Sequence, residues 1–160
     1  MKAIEILVRC RDAERDKERI QGKIQRYRDS AVSVTSFMDA NGGGRSTGKH
    51  DKMGFFAGEI DQLTQDLQER EEEYGVEIQA ACRLLDLVPE KDSEILHLYY
   101  VKRLTIQGIA GEKFVSYSYA RKAKSDGMKQ AMLIPEKVVN ELLPAWYVER
   151  IQNKKAKIFD

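Results

Sequence analysis

Proline is scarce in this chain, with three residues in 160, and few runs have the pattern of a strand. Because proline breaks helices, its shortage favours an all-α protein. Long hydrophobic runs are missing as well, since none approaches the roughly 20 apolar residues of a membrane-spanning helix. The first residues, MKAIEILVRCRDAERDKER, are too charged for a signal peptide. These absences predict a helical protein of the cytoplasm with no membrane partner.

Cysteine and histidine are equally scarce, with two of each. Cys10 and Cys82 are expected to be reduced thiols in helix interfaces, because disulfides are rare in the cytoplasm. His50 and His97 stand alone, so no cluster has the spacing of metal ligands. The run GGGR lacks the Gly-Lys-Ser/Thr ending of a phosphate-binding loop. The sequence therefore predicts no metal, no cofactor and no enzyme.

The net charge of +1 conceals a segregation of charge along the chain. Residues 1–28 carry nine basic and five acidic groups, whereas residues 52–92 carry four basic and eleven acidic ones. Residues 96–131 carry seven basic and two acidic groups, which favours a polyanionic partner for this segment. The acidic run Glu69–Glu73 is expected to be a solvated helix face.

Two long amphipathic patterns fill residues 1–88 and predict a coiled-coil-like antiparallel helical hairpin. The segment DANGGGRSTGKHD, residues 39–51, lies between them and is expected to be a flexible loop. If the two helices pair about its centre, Cys10 falls opposite Cys82. The first seam is Ile6, Cys10, Ala13, Lys17, Ile20, Ile24, Tyr27, Ala31, Val34 and Met38; the second is Phe56, Ile60, Leu63, Leu67, Tyr74, Ile78, Ala81 and Leu85, interrupted by Arg70.

Two helices alone cannot bury both seams on all sides, so self-association through the hairpin is expected, as a homodimer. The alternative is a monomeric hairpin with a thin core. The residues predicted to carry oligomerisation are Ile20, Ile24, Tyr27, Ile60, Leu63 and Leu67.

Residues 89–131 are predicted to form a trihelical unit that contains a helix-turn-helix. Pro89 ends the long helix, and Asp92 or Ser93 is expected to cap the next one. Thr105 is expected to cap a short helix, and Ser116 a second helix that buries Ala120, Ala123 and Met128. A short helix followed by a basic one is what insertion into the major groove requires. The alternative is an ordinary surface hairpin that happens to be basic.

The residues predicted to face DNA lie on the second of these helices. Those near its start are expected to reach base edges, and the later basic ones phosphates. They are Ser116, Tyr117, Ser118, Tyr119, Arg121, Lys122, Lys124 and Lys129.

The remaining residues, 132–160, predict short C-terminal helices. Pro135 can open a helix in its first turn, and Pro144 interrupts the apolar pattern. Two interpretations remain open, namely a pair of helices packed on the DNA-binding unit or a surface for RNA polymerase.

The chain resembles a known family at these positions. The pattern Leu96, Tyr99-Tyr100-Val101, Thr105, Ile109-Ala110, Val115-Ser116, Ala120, Ala123 and Met128 is similar to the region-four helix-turn-helix of primary sigma factors. Further upstream, Asp51-Lys52-Met53-Gly54 before an acidic helix resembles small phage-encoded regulators with this helix-turn-helix. The resemblance spans about residues 1–131. The chain departs from the family at Phe114, in place of a turn glycine, at Lys113, in place of an apolar residue, and at Gly108 and Gly111.

The resemblance implies a transcriptional regulator of late or packaging genes in prophages of Gram-positive bacteria. It implies double-stranded DNA as the partner, host RNA polymerase as a further partner, and the cytoplasm of the bacterial host as the location. Two rivals stay open. One is a small terminase subunit, which joins a helix-turn-helix to oligomerisation helices for DNA packaging. The other is an adaptor that binds polymerase and touches no DNA.

Overall fold

The protein is all-α, as the shortage of proline predicts. The computed structural model describes residues 1–40 and 47–159, and the side chains of residues 1–33 and 52–158. It is 86% helix, and the described residues form no strand. The seven α-helices of the described chain are α1 (Ala3–Ala40), α2 (Thr47–Leu85), α3 (Glu90–Leu96), α4 (Ile106–Lys113), α5 (Tyr117–Met132), α6 (Glu136–Glu141) and α7 (Ala145–Phe159).

Part of the segment predicted as a loop is helical. Helix α1 continues to Ala40 and α2 already begins at Thr47, so the prediction of a loop at residues 47–51 is wrong. The glycine-rich residues 41–46 lie outside the described residues, as do the side chains of Val34 and Met38 from the first seam.

The described chain divides into two compact units, one of Glu14–Glu72 and the other of Met1–Ala13 with Glu73–Asp160. In the first unit, Tyr27 of α1 packs against Phe56 of α2, with ring centroids 6.0 Å apart. Asp16 lies nearer the start of α1 and accepts a hydrogen bond from Arg70, nearer the end of α2. The order of these contacts is that of antiparallel helices.

The contacts between α1 and α2 correct the register that the sequence suggested. Asp16 meets Arg70, and in the other unit Arg9 meets Glu77, so the residue numbers of each pair add up to 86 rather than to 92. Cys10 is accordingly buried among aliphatic side chains, whereas Cys82 is exposed. The prediction that these two cysteines face each other is wrong.

The main core lies in the second unit, where the C-terminal helices pack on the start of α1 and the end of α2. Tyr147 of α7 and Val139 of α6 are fully buried there, beside Ile6 of α1 and Leu84 of α2. Helix α7 has 15 residues and is longer than the short helix that the sequence predicted. The interpretation of residues 132–160 as helices packed on the DNA-binding unit is therefore incomplete, because these helices share a core with the start of α1 and the end of α2.

A buried ionic cluster joins α1, α2 and α7 within this core. Glu77 is fully buried and accepts hydrogen bonds from Arg9 Nε and from the hydroxyl of Tyr147, both at 2.7 Å. Glu73 is fully buried as well, and it accepts from Arg9 Nη2 at 2.9 Å and from Lys154 Nζ at 2.6 Å. The prediction that Glu73 belongs to a solvated face is wrong, because its charge is compensated inside the core.

No helix within the described residues combines the length and the apolar content that crossing a bilayer demands.

Candidate nucleic-acid interface

Helix α3 and the turn that follows it support the candidate interface. The helix begins at Glu90 directly after Pro89, with no side-chain cap, so the prediction that Asp92 or Ser93 caps it is wrong. It continues as one π-helical turn over His97–Val101. Ile95 and Leu98 are buried on the side that meets α4 and α5. This element therefore carries the apolar platform on which the next two helices rest.

Hydrogen bonds define both ends of helix α4. The Thr105 side chain accepts a hydrogen bond from the N–H of Gly108 at 3.0 Å, so the predicted cap is confirmed. The helix ends at Phe114, whose φ of 54° lies in the left-handed region. The N–H of Val115 then donates to the carbonyl of Ala110 at 3.0 Å, which is the closing bond of a Schellman motif. Phe114 thus adopts the left-handed conformation that glycine usually occupies in such turns.

Helix α5 begins at the predicted cap and turns a face of small residues to the interior. The Ser116 side chain accepts from the N–H of Tyr119 at 3.1 Å, which confirms the predicted cap. The buried residues of α5 are Ala120, Ala123, Gly127 and Ala131, whereas Met128 is only half-buried.

Gly127 marks the closest approach of α5 to α3. A Cβ atom at this position would lie 3.1 Å from Asp92 Cβ and 3.1 Å from Leu96 Cγ. Glycine suits this approach, because an added Cβ would force these side chains to move by a few tenths of an ångström. The sequence does not reveal Gly127, since a glycine inside a helical pattern carries no periodic signal of its own.

Seven of the eight residues predicted to face DNA are exposed, six of them on α5 and Ser116 at its cap. Arg121 and Lys122 project from α5, and neither has an acidic partner among the residues that the structure describes. Lys129 is also exposed, with its ammonium 3.4 Å from Asp126. The other exposed members of the set are Ser116, Tyr117, Ser118 and Tyr119.

Lys124, the eighth predicted residue, contacts the protein itself. It is half-buried, and its ammonium lies 3.9 Å from the centre of the Tyr99 ring. The Arg11 guanidinium of α1 lies at the same distance from this ring and donates to the backbone carbonyls of Tyr99 and Leu104. Cations stabilise such aromatic contacts by electrostatic attraction to the ring face. Lys124 thus connects α5 to the π-helical turn, and no local sequence pattern indicates its contact with this ring.

Two lysines outside α5 affect the charge around this surface, and the sequence did not indicate the contact of either. Lys91 of α3 is exposed, and its ammonium lies 5.7 Å from the ring centre of Tyr119. It therefore adds a positive charge beside the start of α5, although it belongs to the acidic segment of the chain. Lys113, which stands where the resembled family has an apolar residue, forms an ion pair with Glu94.

Comparison of the chain with protein-family models, with curated proteins and with solved structures found no match. The similarity to the sigma region-four motif is therefore a resemblance in sequence alone. The geometry and charge of α5 are the observations that bear on the function of its exposed surface.

Proposed function

We propose that this protein is a sequence-specific DNA-binding regulator of phage or prophage transcription, without enzymatic activity, that acts in the cytoplasm of the bacterial host. In this proposal α4 and α5 form a helix-turn-helix supported by α3, and α5 enters the major groove. The hairpin of α1 and α2 joins two copies, and host RNA polymerase is a further partner.

The observation that carries the proposal is the exposed pair Arg121 and Lys122. Both project from the face opposite Ala120 and Ala123, which α5 buries against α3 and α4. They stand in the stretch from Phe114 to Ser125, which carries three basic residues and no acidic one. Such a local excess of positive charge on an exposed helix face favours a polyanion as the partner.

The ends of the two helices add support for a helix-turn-helix. Thr105 and Ser116 both cap helices by accepting a hydrogen bond from an N–H three residues later. The turn between α4 and α5 is closed by the left-handed conformation of Phe114. Two short helices held this tightly present the first turns of the second helix to a groove.

The test compares two double variants by fluorescence anisotropy, on duplexes that the unmodified protein selects from a randomised pool. Arg121→Ala/Lys122→Ala should lower affinity about fivefold or more, because one bidentate base contact contributes about 1–3 kcal/mol. The matched control Lys137→Ala/Lys157→Ala removes the same charge from exposed positions of α6 and α7. It should leave affinity nearly unchanged at moderate salt.

Equal affinity of both double variants would exclude α5 as the interface. Footprinting without polymerase separates the proposal from the adaptor interpretation, which requires polymerase before any protection is seen. A ring of eight or more chains at a packaging site, with no effect on transcription in vitro, would favour the terminase interpretation.

A further inference from the structure

Phe114 combines two features that are unfavourable for the folded chain alone. Its side chain is 96% exposed, more than any other large apolar residue of the described chain. Its backbone lies at φ 54°, a conformation that glycine adopts without strain and a side chain with a Cβ does not. Glycine at this position would avoid both the strain and the exposure, so the ring has no evident role in the fold.

Two further exposed aromatic residues follow Phe114 in the sequence. Tyr117 is 51% exposed and Tyr119 is 44% exposed, so three of six consecutive positions carry an exposed aromatic side chain. Aromatic residues are enriched where proteins bind partners. Arg121 and Lys122 follow directly on the same helix, and no acidic residue occurs from Phe114 to Ser125. The positive charge beside these aromatic residues fits a polyanionic partner, which the proposed function identifies as DNA.

We propose that Phe114 is a specificity-determining residue that packs on the 5-methyl group of a thymine in the major groove. This inference rests on the proposed function, since it assumes that α5 enters the groove. Residues at the start of a recognition helix reach base edges. The thymine methyl is the one apolar group among those edges, and phenylalanine is among the side chains that contact it. Phe114 lies three residues before Tyr117, the first residue of α5.

The experiment scans the selected duplexes, with each thymine replaced in turn by uracil, which lacks only that methyl group. For the unmodified protein, one or two positions should lose about fourfold in affinity, as expected for one buried methyl. Phe114→Asn keeps a residue that tolerates the left-handed conformation but removes the ring. It should bind the thymine and uracil duplexes equally at those positions, with an unchanged or higher thermal midpoint.

Leu133→Asn is the matched control, because it removes another apolar side chain that is 74% exposed, outside the turn. It should keep the full response to uracil. A flat uracil scan for the unmodified protein, or the same scan for Phe114→Asn, would overturn the inference. Loss of transcriptional activation by Phe114→Asn with DNA binding intact would overturn it too, and would assign the ring to a protein partner.

The outcomes separate this inference from the proposed function. If Arg121→Ala/Lys122→Ala loses binding while Phe114→Asn keeps both affinity and uracil response, only the inference fails. If the unmodified protein binds no duplex of the pool, both fail together.

Discussion

Tyr147 is the side chain whose protonation is most closely coupled to the fold. It is fully buried, donates to Glu77 and accepts from Arg9 at 3.0 Å. Burial raises the pKa of its phenol well above the ordinary value of 10.0, and the negative charge of Glu77 raises it further. Burial likewise raises the pKa of Tyr100, to about 12. Both phenols therefore keep their protons in the folded protein where the unfolded chain loses them.

The sign of the resulting pH dependence follows from proton binding. Above pH 10 the unfolded chain binds fewer protons than the folded one, so stability falls as pH rises towards the folded-state pKa. Tyr147→Phe removes a hydrogen bond to a charged group and should cost about 1.5–3 kcal/mol at pH 8. The difference in the free energy of unfolding between the unmodified protein and Tyr147→Phe, measured by urea unfolding, should become smaller above pH 10. If this difference stays constant from pH 8 to pH 11, protonation of Tyr147 is not coupled to folding.

Single residues also show which parts of the site a sequence can reveal. The exposure of Arg121 and Lys122 follows from a helical pattern, because burying Ala120 and Ala123 turns their neighbours outward. The contact of Lys124 with Tyr99 joins helices distant in sequence and leaves no local pattern. The same holds for Glu73, whose partners Arg9 and Lys154 lie 64 and 81 residues away.

At the scale of elements, the sequence predicts starts of helices better than their contacts. Caps at Thr105 and Ser116 could be predicted because a cap is a local hydrogen bond. The start of α3 was misplaced, since Glu90 enters the helix directly after Pro89 without any side-chain cap. The close approach of α3 and α5 at Gly127 could not be predicted, because it depends on the angle and distance between two packed helices.

That approach makes opposite predictions for two glycines. Gly127→Ala should lower the free energy of unfolding by up to about 2 kcal/mol, because crowding against Asp92 and Leu96 costs about 1–3 kcal/mol and helix propensity offsets about 1 kcal/mol of it. Gly111→Ala is the control, since nothing lies within 4 Å of the added methyl. It should raise stability by about 1 kcal/mol in urea unfolding. A stabilising Gly127→Ala would show that α3 and α5 do not pack this closely.

For the whole molecule, composition and periodicity were sufficient for the fold class. Scarce proline and two long amphipathic patterns predict an all-α chain, which the structure confirms. The predicted register of α1 on α2 is displaced, because it is counted from a centre near residue 46, whereas α2 already begins at Thr47. Arg70 and Asp16 fix the actual register through an ion pair that interrupts the apolar seam.

Self-association is the prediction that belongs to the molecule as a whole. Of the six residues predicted to carry it, Ile24 is buried, whereas Ile20, Tyr27, Ile60, Leu63 and Leu67 remain half-buried in one chain. Apolar side chains that a single chain covers only in part favour a second copy. We therefore expect light scattering at micromolar concentration to give twice the mass of one chain.

The decisive variants lie on α2. Leu63→Asp and Leu67→Asp should each shift the mass towards one chain, because a second copy would have to bury an unpaired carboxylate. Gln68→Asp adds the same charge at an exposed neighbouring position and should leave the dimer intact. Circular dichroism of each variant checks that the helices persist.

A dimer with two copies of α5 should protect two half-sites about one helical turn apart, or a multiple of it. The Leu63→Asp and Leu67→Asp variants, once dissociated, should protect a single half-site with lower affinity. If both variants remain dimeric, the dimer interface does not include this part of α2.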